Sequence, residues 1–284
     1  MDERIGIVGG TGLYSLDGVE IEDSLQVETP FGRHSGPVVL ASLSGARLAF
    51  LSRHGAGHVL SPSEVPYAAN IYALKSLGVR RLVSVSAVGS MKEKIAPRDF
   101  VVPDQLLDRT KGIRRSTFFG EGVVGHISFG EPFCPVMRGI LSKAAADAGA
   151  RVHDGGTYIC MEGPAFSTKA ESKIYRSMGM DIIGMTAIPE AKLAREAGIC
   201  YATLALVTDY DVWREATEEV TLEMVISNMN HNTALARETL THAVAAVASA
   251  SFDCGCRAAS ANAVITAPES RNPGKMKDLE VVLR

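Results

Sequence analysis

The chain has 284 residues and a formal net charge of −3 at pH 7, and 46% of its residues are hydrophobic. A chain of this length and composition can bury the core of one large α/β domain or of two small ones. Its lysines and arginines form no basic stripe, which argues against a nucleic-acid partner, and no apolar run approaches the roughly 18 residues of a membrane span. No export signal opens the chain, so we expect a cytoplasmic protein that acts on a small molecule.

The five cysteines predict no metal site. Cys134, Cys160 and Cys200 lie in apolar segments and are most simply thiols of the core. Cys254 and Cys256, separated by one glycine, could form a redox or disulfide pair or be an ordinary pair in the C-terminal tail. The sequence around them lacks the further ligands that a zinc site needs.

The N-terminal segment predicts a buried strand at 4–8 that runs into a glycine-rich turn at 9–12. Glycines let backbone N–H groups approach an anion, and the Thr11 hydroxyl adds a donor, so this turn is a candidate phosphate site. A tight turn without a ligand is the alternative. The turn lacks the lysine of a P-loop and the third glycine of a dinucleotide fingerprint, which argues against a nicotinamide-dependent oxidoreductase.

Two further strand ends carry residues suited to an anion. Segments 37–43 and 46–51 predict a hairpin that stops at Arg53 and His54, where a guanidinium can contact an oxyanion and the imidazole adds a second donor. After a helix predicted over 66–78, a strand at 81–85 ends at Ser86 and Ala87, which offer a hydroxyl and a backbone N–H. A need for small residues in packing would explain Ser86 and Ala87 equally well.

The second half of the chain alternates predicted strands (97–108, 156–160, 181–184) with helices (134–149, 185–198), which indicates one α/β domain. The apolar run 200–207 predicts a buried strand that leads to Asp209 and Asp211. Two carboxylates in one pocket repel each other, so at least one pKa rises and a carboxylic acid persists near neutral pH. Alternatively, Asp209 caps the next helix and Asp211 is solvated.

Six short motifs occur in a fixed order along the chain. They are Gly9-Gly-Thr-Gly12, Thr29-Pro-Phe-Gly32, Arg53-His54-Gly55, Glu162-Gly-Pro-Ala-Phe166, Met185-Thr186 and Thr208-Asp-Tyr-Asp211. Through them, residues 4–250 resemble the trimeric-type purine nucleoside phosphorylase family, and within it the members that act on 5′-methylthioadenosine. Residues 218–251 predict one or two helices that complete a catalytic domain over 1–253. Residues 254–284 are a C-terminal extension of uncertain order, outside the resemblance.

The resemblance implies an α/β single domain with a mixed, partly barrel-like central β-sheet flanked by helices, the nucleoside phosphorylase fold. It also implies a homotrimer, or a hexamer of two trimers, with active sites near subunit interfaces. The residues that match the family's phosphate ligands are Thr11, Arg53, His54, Ser86, Ala87 and Thr186. Those that match its nucleoside contacts are Phe166 on the purine, Met185 beneath the ribose, Asp209 and Asp211 at the base edge, His126 from a neighbouring subunit, and Leu222, Val225 and Ile226 around the methylthio group.

The implied activity is phosphorolysis of 5′-methylthioadenosine to adenine and 5-methylthioribose 1-phosphate, a pentosyl transfer in purine and methionine salvage. Phosphate is a substrate, and no cofactor or metal is implied. A protonated Asp209 would give its proton to N7 and Asp211 would accept from the 6-amino group, so two aspartates favour adenine. The alternatives are a broader phosphorylase of adenosine, inosine or guanosine, a methylthioinosine phosphorylase, a hydrolase of the same nucleoside, and a nucleoside-binding sensor.

Overall fold

Eleven strands and six α-helices form the parts of the chain that the computed structural model describes, residues 3–10, 16–214 and 222–284. The strands are β1 (Arg4–Gly9), β2 (Glu20–Leu25), β3 (Val38–Leu43), β4 (Ala46–Ser52), β5 (Val79–Ser90), β6 (Phe100–Val102), β7 (Gln105–Arg109), β8 (Val152–Asp154), β9 (Thr157–Met161), β10 (Ile182–Gly184) and β11 (Cys200–Asp209). The helices are α1 (Tyr67–Ser76), α2 (Pro135–Asp147), α3 (Lys169–Ser177), α4 (Ala187–Glu196), α5 (Leu222–Ser249) and α6 (Pro273–Leu283).

The eleven strands belong to one mixed sheet in which β5 is central. β5 pairs in parallel with β1 on one edge and with β11 on the other, and β1 pairs in parallel with β4. β5 pairs with β1 only as far as Ser84. At the carboxyl end of β5, Gly89 and Ser90 pair antiparallel with β10, and β10 is followed in the sheet by β9 and β7. The carboxyl end of β5 therefore lies at a junction between two branches of the sheet.

The predicted α/β single domain is confirmed, and most element boundaries follow from the sequence. Every residue of β1 and β11 is buried, as expected for parallel strands covered on both faces. The predicted hairpin is β3–β4, which turns at Ser44 and Gly45, both with positive φ. Helices α1, α2 and α4 begin and end within two residues of the predicted bounds.

The structure divides one predicted strand into two separate strands. Segment 97–108 forms β6 and β7, which pair with different neighbours, β6 with β11 and β8 and β7 with β9. Pro103 stands between them, and a proline can neither donate to a ladder nor continue a central strand. Beyond the turn that follows β11, residues 222–249 form the single helix α5. In the parts of the chain that are described, neither α5 nor any other helix is long and apolar enough to cross a membrane.

The C-terminal segment 254–284 packs against the rest of the fold. Leu279 and Val282 of α6 are fully buried, in the same apolar cluster as the residues of α1. Pro273 and Gly274, which suggested irregular structure, begin α6 instead, and Pro268 begins a short 3₁₀-helix before it. The Asn272 side chain caps α6, and Pro273 occupies its first turn, where a missing N–H costs nothing.

The packing of α6 predicts a large effect of truncating its buried leucine. Replacing Leu279 with alanine should lower the free energy of unfolding by about 2–5 kcal/mol, because it leaves a cavity in the core. Lys277→Ala, at an exposed position of the same helix, should change it by about 0.5 kcal/mol or less. Denaturant unfolding of both variants measures the difference, and equal stabilities would mean that α6 is not part of the cooperative core.

Candidate active site

The carboxyl ends of four parallel strands, β4, β1, β5 and β11, meet at one edge of the sheet. Gly9 of β1 is level with Ser52 of β4, and Asp209 of β11 is level with Gly89 of β5. Ligands of open α/β sheets bind at this edge, outside the strand ends. The parallel pairing therefore places Arg53, Ser86 and Asp209, which the sequence singled out, toward this edge.

Arg53, directly after β4, is a buried cation with a bidentate partner. Its Nε and Nη2 donate to the two carboxylate oxygens of Glu190 at 2.8 and 3.0 Å, and both side chains are 2% exposed. Nη2 also donates to Ser84 Oγ at 2.7 Å, and Nη1 to the Val85 carbonyl at 3.0 Å. Burial by itself would lower the pKa of Arg53, but the Glu190 carboxylate outweighs it and raises that pKa. Arg53 therefore stays charged and ties β4 to β5 and α4.

The same contacts limit what Arg53 can offer a ligand. A guanidinium has five N–H groups, and among the described residues only one of them, on Nη1, is left without an acceptor. The fork that would bind an oxyanion with two parallel bonds faces Glu190 instead. A phosphate role for Arg53 stays a prediction, and it would use one N–H and the positive charge.

His54 is neutral at physiological pH. Burial first and then the charge of Arg53 lower the pKa of His54 to about 4. Its Nδ1 lies 2.8 Å from the Leu60 carbonyl, so Nδ1 carries the proton and Nε2 is an acceptor. The ring stacks on His58 with centroids 4.2 Å apart. The structure thus differs from the expectation of a second donor, since His54 Nε2 can accept a hydrogen from a phosphate hydroxyl.

Two buried hydroxyls near Arg53, Ser86 Oγ and Tyr158 Oη, lie close to each other and to Thr186, but neither makes a hydrogen bond of ordinary geometry with a described residue. Burial raises the pKa of Tyr158, while the nearby side chains of Ser86, Arg53 and Thr186 act in the opposite direction, so these four groups are neighbours. A Cβ at Gly184 would collide with the Tyr158 hydroxyl, which explains the glycine. Buried polar atoms nearly always have partners, so unpaired hydroxyls here indicate a place for a polar ligand.

The two aspartates at the end of β11 lie close together and have raised pKa values. Asp209 is 8% exposed, and burial raises its pKa. Burial also raises the pKa of Asp211, and the charge of Asp209 adds to the effect. The Asp209 oxygens accept from Thr208 Oγ1 at 2.7 Å and from the Asp211 backbone N–H at 2.8 Å. Asp211 Oδ2 is buried without a partner in the described chain, so it can accept from a ligand.

Backbone irregularities set the positions of these carboxylates. The register of β11 against β5 shifts between Val207 and Asp209, which is the mark of a bulge, and Asp211 has a φ of 53°. A Cβ at Gly89 would lie 2.8 Å from Asp209 Oδ1, so the carboxylate needs glycine on the facing strand. The bulge and the left-handed residue turn both side chains toward the junction of the sheet.

Helix α5 is fastened to the end of β11 by two asparagines. Asn228 Nδ2 donates to the Thr208 carbonyl at 2.6 Å, and Asn232 Nδ2 donates to the Val207 carbonyl at 3.0 Å. Four residues apart, the asparagines lie on one face of the helix. They bring the first turns of α5 next to Asp209.

A second buried arginine organises the segment that carries Met185. Arg114 Nε donates to Glu162 Oε1, and its Nη1 donates to the carbonyls of Met185 and Ile188, each at 2.7 Å. Glu162, the first residue of the Glu162–Phe166 motif, is therefore paired inside the protein, where burial would raise its pKa but nearby donors outweigh burial and lower it. A Cβ at Gly163 would collide with Met185 Sδ, so the glycine lets the two segments approach.

Several predicted nucleoside contacts are apolar side chains open to solvent. Phe166 is 53% exposed, Leu222 is 62% exposed and Ile226 is 44% exposed, whereas Val225 is half-buried. Ser167, next to Phe166, lies close to the Asp211 carboxylate. Exposed apolar groups beside a polar pocket are typical of a binding site.

The remaining predicted residues differ in their surroundings. Ala87 lies in β5, level with Leu206 of β11. His126 is exposed and lies outside the strands and helices, and its backbone N–H donates to the Ala263 carbonyl at 2.9 Å. Thr11 lies outside the described residues.

The sequence reasoning missed four residues that hold the site, Glu190, Tyr158, Asn228 and Asn232. Glu190 follows Pro189 in an apolar helix start, and a lone carboxylate there is a usable signal. The two asparagines share a helix face with apolar residues, which is a second signal. Tyr158 gives none, because an aromatic residue in a strand is ordinary.

The pattern of the phosphorylase superfamily matches residues 4–245. The chain belongs to the phosphorylase superfamily. This phosphorylase is 53% identical, over 94% of its length and 93% of the relative's, to S-methyl-5′-thioadenosine phosphorylase of Geobacter sulfurreducens. A methylthioadenosine phosphorylase sourced from an antarctic soil metagenomic library is 48% identical, with a TM-score of 0.95 over 99% of both chains. Methylthioadenosine phosphorylase from Schistosoma mansoni in complex with adenine is 36% identical, with a TM-score of 0.87 over 92% of this chain and 99% of that one.

Removing the carboxylate of the buried Arg53–Glu190 pair should destabilise the protein far more than removing the carboxylate of a surface ion pair. Glu190→Ala leaves the Arg53 charge buried without its partner and should lower the free energy of unfolding by about 3–5 kcal/mol. The control is Asp154→Ala, which breaks a surface pair with Arg138 and should cost about 1 kcal/mol or less. Denaturant unfolding compares the two variants, and similar small losses would contradict the account of Arg53.

Proposed function

We propose that this phosphorylase cleaves 5′-methylthioadenosine with inorganic phosphate to give adenine and 5-methylthioribose 1-phosphate. The observation that carries the proposal is the pair of buried Asp209 and half-buried Asp211, with raised pKa values, at the same sheet edge as the hydroxyls of Ser86 and Tyr158. The relatives named for this substrate support it. Phosphate is a substrate in this reaction, and the mechanism below uses no cofactor and no metal.

The phosphate half of the site lies around the unpaired hydroxyls. The remaining N–H of Arg53 and its charge attract the anion, and neutral His54 accepts the hydrogen of a phosphate hydroxyl at Nε2. Tyr158 lies among the same groups and is a further donor. The full proposed phosphate set is Thr11, Arg53, His54, Ser86, Ala87 and Thr186.

The nucleoside half supplies the acid. Breaking the N-glycosidic bond leaves positive charge on the sugar and moves negative charge into the purine. Burial favours the protonated form of Asp209, and in the proposed reaction Asp209 gives its proton to N7 as the base leaves. Phosphate, held on the opposite side of the sugar carbon, stabilises the cationic sugar and attacks it. Met185 lies beneath the ribose and Phe166 packs on the purine.

The second aspartate selects the base. A 6-amino group donates hydrogen bonds, and the unpaired Asp211 Oδ2 accepts one. A 6-oxo purine presents an acceptor to the same atom, which leaves two acceptors facing each other and lowers the affinity. The Asp211 acceptor therefore favours adenine nucleosides over inosine, guanosine and methylthioinosine.

The 5′ group and the assembly belong to one proposal. Leu222, Val225 and Ile226 form an apolar wall for the methylthio group, which α5 holds beside Asp209. His126 reaches the 5′ position of a neighbouring subunit in a homotrimer or a hexamer of two trimers. In support, the segment of His126 carries the exposed apolar side chain of Val124, which a subunit contact would cover.

The five free thiols fit a reducing compartment, and we place the reaction in the cytoplasm.

The test is adenine release from 5′-methylthioadenosine with and without phosphate, beside adenosine, inosine and methylthioinosine. Phosphate-dependent cleavage with the highest kcat/KM for methylthioadenosine is the expected result. Phosphate-independent release would make the protein a hydrolase, and a preference for inosine would overturn the role of the two aspartates. Binding without turnover would leave a sensor.

The acid role predicts the behaviour of one conservative variant. Asp209→Asn cannot donate the same proton, so kcat for methylthioadenosine should fall by about 10²–10⁴-fold. N7 and O6 of a 6-oxopurine are adjacent acceptors, and an amide at position 209 can donate to either, so the ratio of inosine to adenosine cleavage should rise. Asp154→Asn, on the surface, is the matched control and should leave both quantities unchanged. An unchanged substrate ratio in Asp209→Asn would count against the proposed base contacts.

A further inference from the structure

Four of the five cysteines form a cluster at the end of the sheet opposite the candidate active site. The Sγ atoms of Cys134, Cys200, Cys254 and Cys256 all lie within 4.8 Å of one another. Cys134 precedes α2, Cys200 begins β11, and the other two belong to the C-terminal segment. In the described part of the chain, this is the only group of three or more histidine, cysteine or acidic side chains close enough to hold a metal ion.

The distances between the sulfur atoms fit four thiolates around one metal ion better than a disulfide bond. Cys254 Sγ lies 3.6 Å from Cys134 Sγ and 3.5 Å from Cys200 Sγ, and a disulfide requires about 2.05 Å. Four sulfurs at the Zn–S distance of about 2.3 Å on a tetrahedron are roughly 3.8 Å apart. The cluster therefore has nearly the dimensions of a closed tetrathiolate zinc site.

We propose that Cys134, Cys200, Cys254 and Cys256 bind one Zn²⁺ ion as a structural site. All four thiols lose their protons on binding, which leaves a complex with a charge of −2. The N-terminus of α2, where Cys134 is the cap residue, favours this negative charge, and the positive charge of Arg195 acts on Cys256. The metal has no open coordination position, so it takes no part in catalysis.

The site would fasten the C-terminal segment to the domain. Cys134, Cys200 and Cys256 are at most 2% exposed, while half-buried Cys254 leaves a route for the metal. Cys200 and Asp209 lie at opposite ends of a ten-residue strand, about 30 Å apart at the usual rise per residue. Zinc would therefore stabilise the fold without touching the substrates.

In the sequence, Cys254 and Cys256 have no further zinc-binding residues near them, whereas in the fold Cys134 and Cys200 lie beside them. The partners are distant in the sequence, since Cys134 and Cys254 are 120 positions apart. The Cys-Gly-Cys spacing is also tighter than the usual two to four intervening residues of zinc motifs. Only the fold brings the four sulfurs together.

The test is the metal content of the intact protein, purified under reducing conditions after expression with added zinc. Mass spectrometry of the metal should find about one zinc per chain, and Co²⁺ in its place should show thiolate charge-transfer and tetrahedral absorption bands. Cys256→Ser and Cys254→Ser should each lower zinc retention at least tenfold. Cys160→Ser, a buried cysteine outside the cluster, should keep it.

Measurements on the wild-type protein keep the test valid even if the cysteine variants misfold. A strong chelator should lower the melting temperature of the wild type and of Cys160→Ser, and not that of Cys254→Ser. Thiol titration of the denatured wild type should find all five thiols once zinc is removed. A zinc-free protein whose thiols all react, or one in which cluster cysteines are joined as disulfides, would overturn the proposal.

Discussion

A guanidinium taken out of water must have a partner of opposite charge, and the Arg53–Glu190 pair meets this requirement where four parallel strands end. The pair is bidentate, and Glu190 also accepts a hydrogen bond from the Tyr201 hydroxyl at 2.9 Å. Arg53 follows β4, Ser84 belongs to β5, Tyr201 to β11 and Glu190 to α4. One ion pair thus fixes the relative positions of the elements that carry the candidate active site.

The rest of the site relies on the opposite condition, polar atoms buried without partners. Ser86, Tyr158 and Asp211 each contribute such an atom, and the desolvation cost of these atoms is recovered when a ligand binds. The same burial raises the pKa of Asp209 and lowers that of His54. Burial therefore favours the protonated form of Asp209 and the neutral form of His54. Preorganisation of this kind is what catalysis of glycosidic cleavage requires.

The sequence predicted the parts of this arrangement that depend on local pattern. The apolar run that ends at Asp209, the glycine-rich strand ends and the order of the motifs identified the fold, the family and one edge of the sheet. The sequence could not predict that Glu190 forms the bidentate ion pair with Arg53, because the two residues are 137 positions apart. The neutral state of His54 likewise depends on burial and on the Leu60 carbonyl, neither of which a motif records.

The same limit applies to the supports of the site and to the cysteines. Asn228 and Asn232 look like ordinary helix residues until the helix is placed against β11. The prolines and glycine of the C-terminal segment suggested irregular structure, because these residues are common in loops. In the fold, Asn272 and Pro273 instead begin a helix. Cooperation between distant residues is the common reason for these differences, since short-range patterns contain no information about it.

The most direct test of the central claim, that burial keeps Asp209 protonated, is the pH dependence of stability in the wild type and in Asp209→Asn. The native pKa of Asp209 is raised above its unfolded value of about 3.9, so the native state binds the proton more tightly. This contribution to stability is complete below pH 4 and is lost as the pH rises through the native pKa. The asparagine variant should therefore gain stability relative to the wild type as the pH increases from 4 to neutrality. A constant difference across that range would contradict the account.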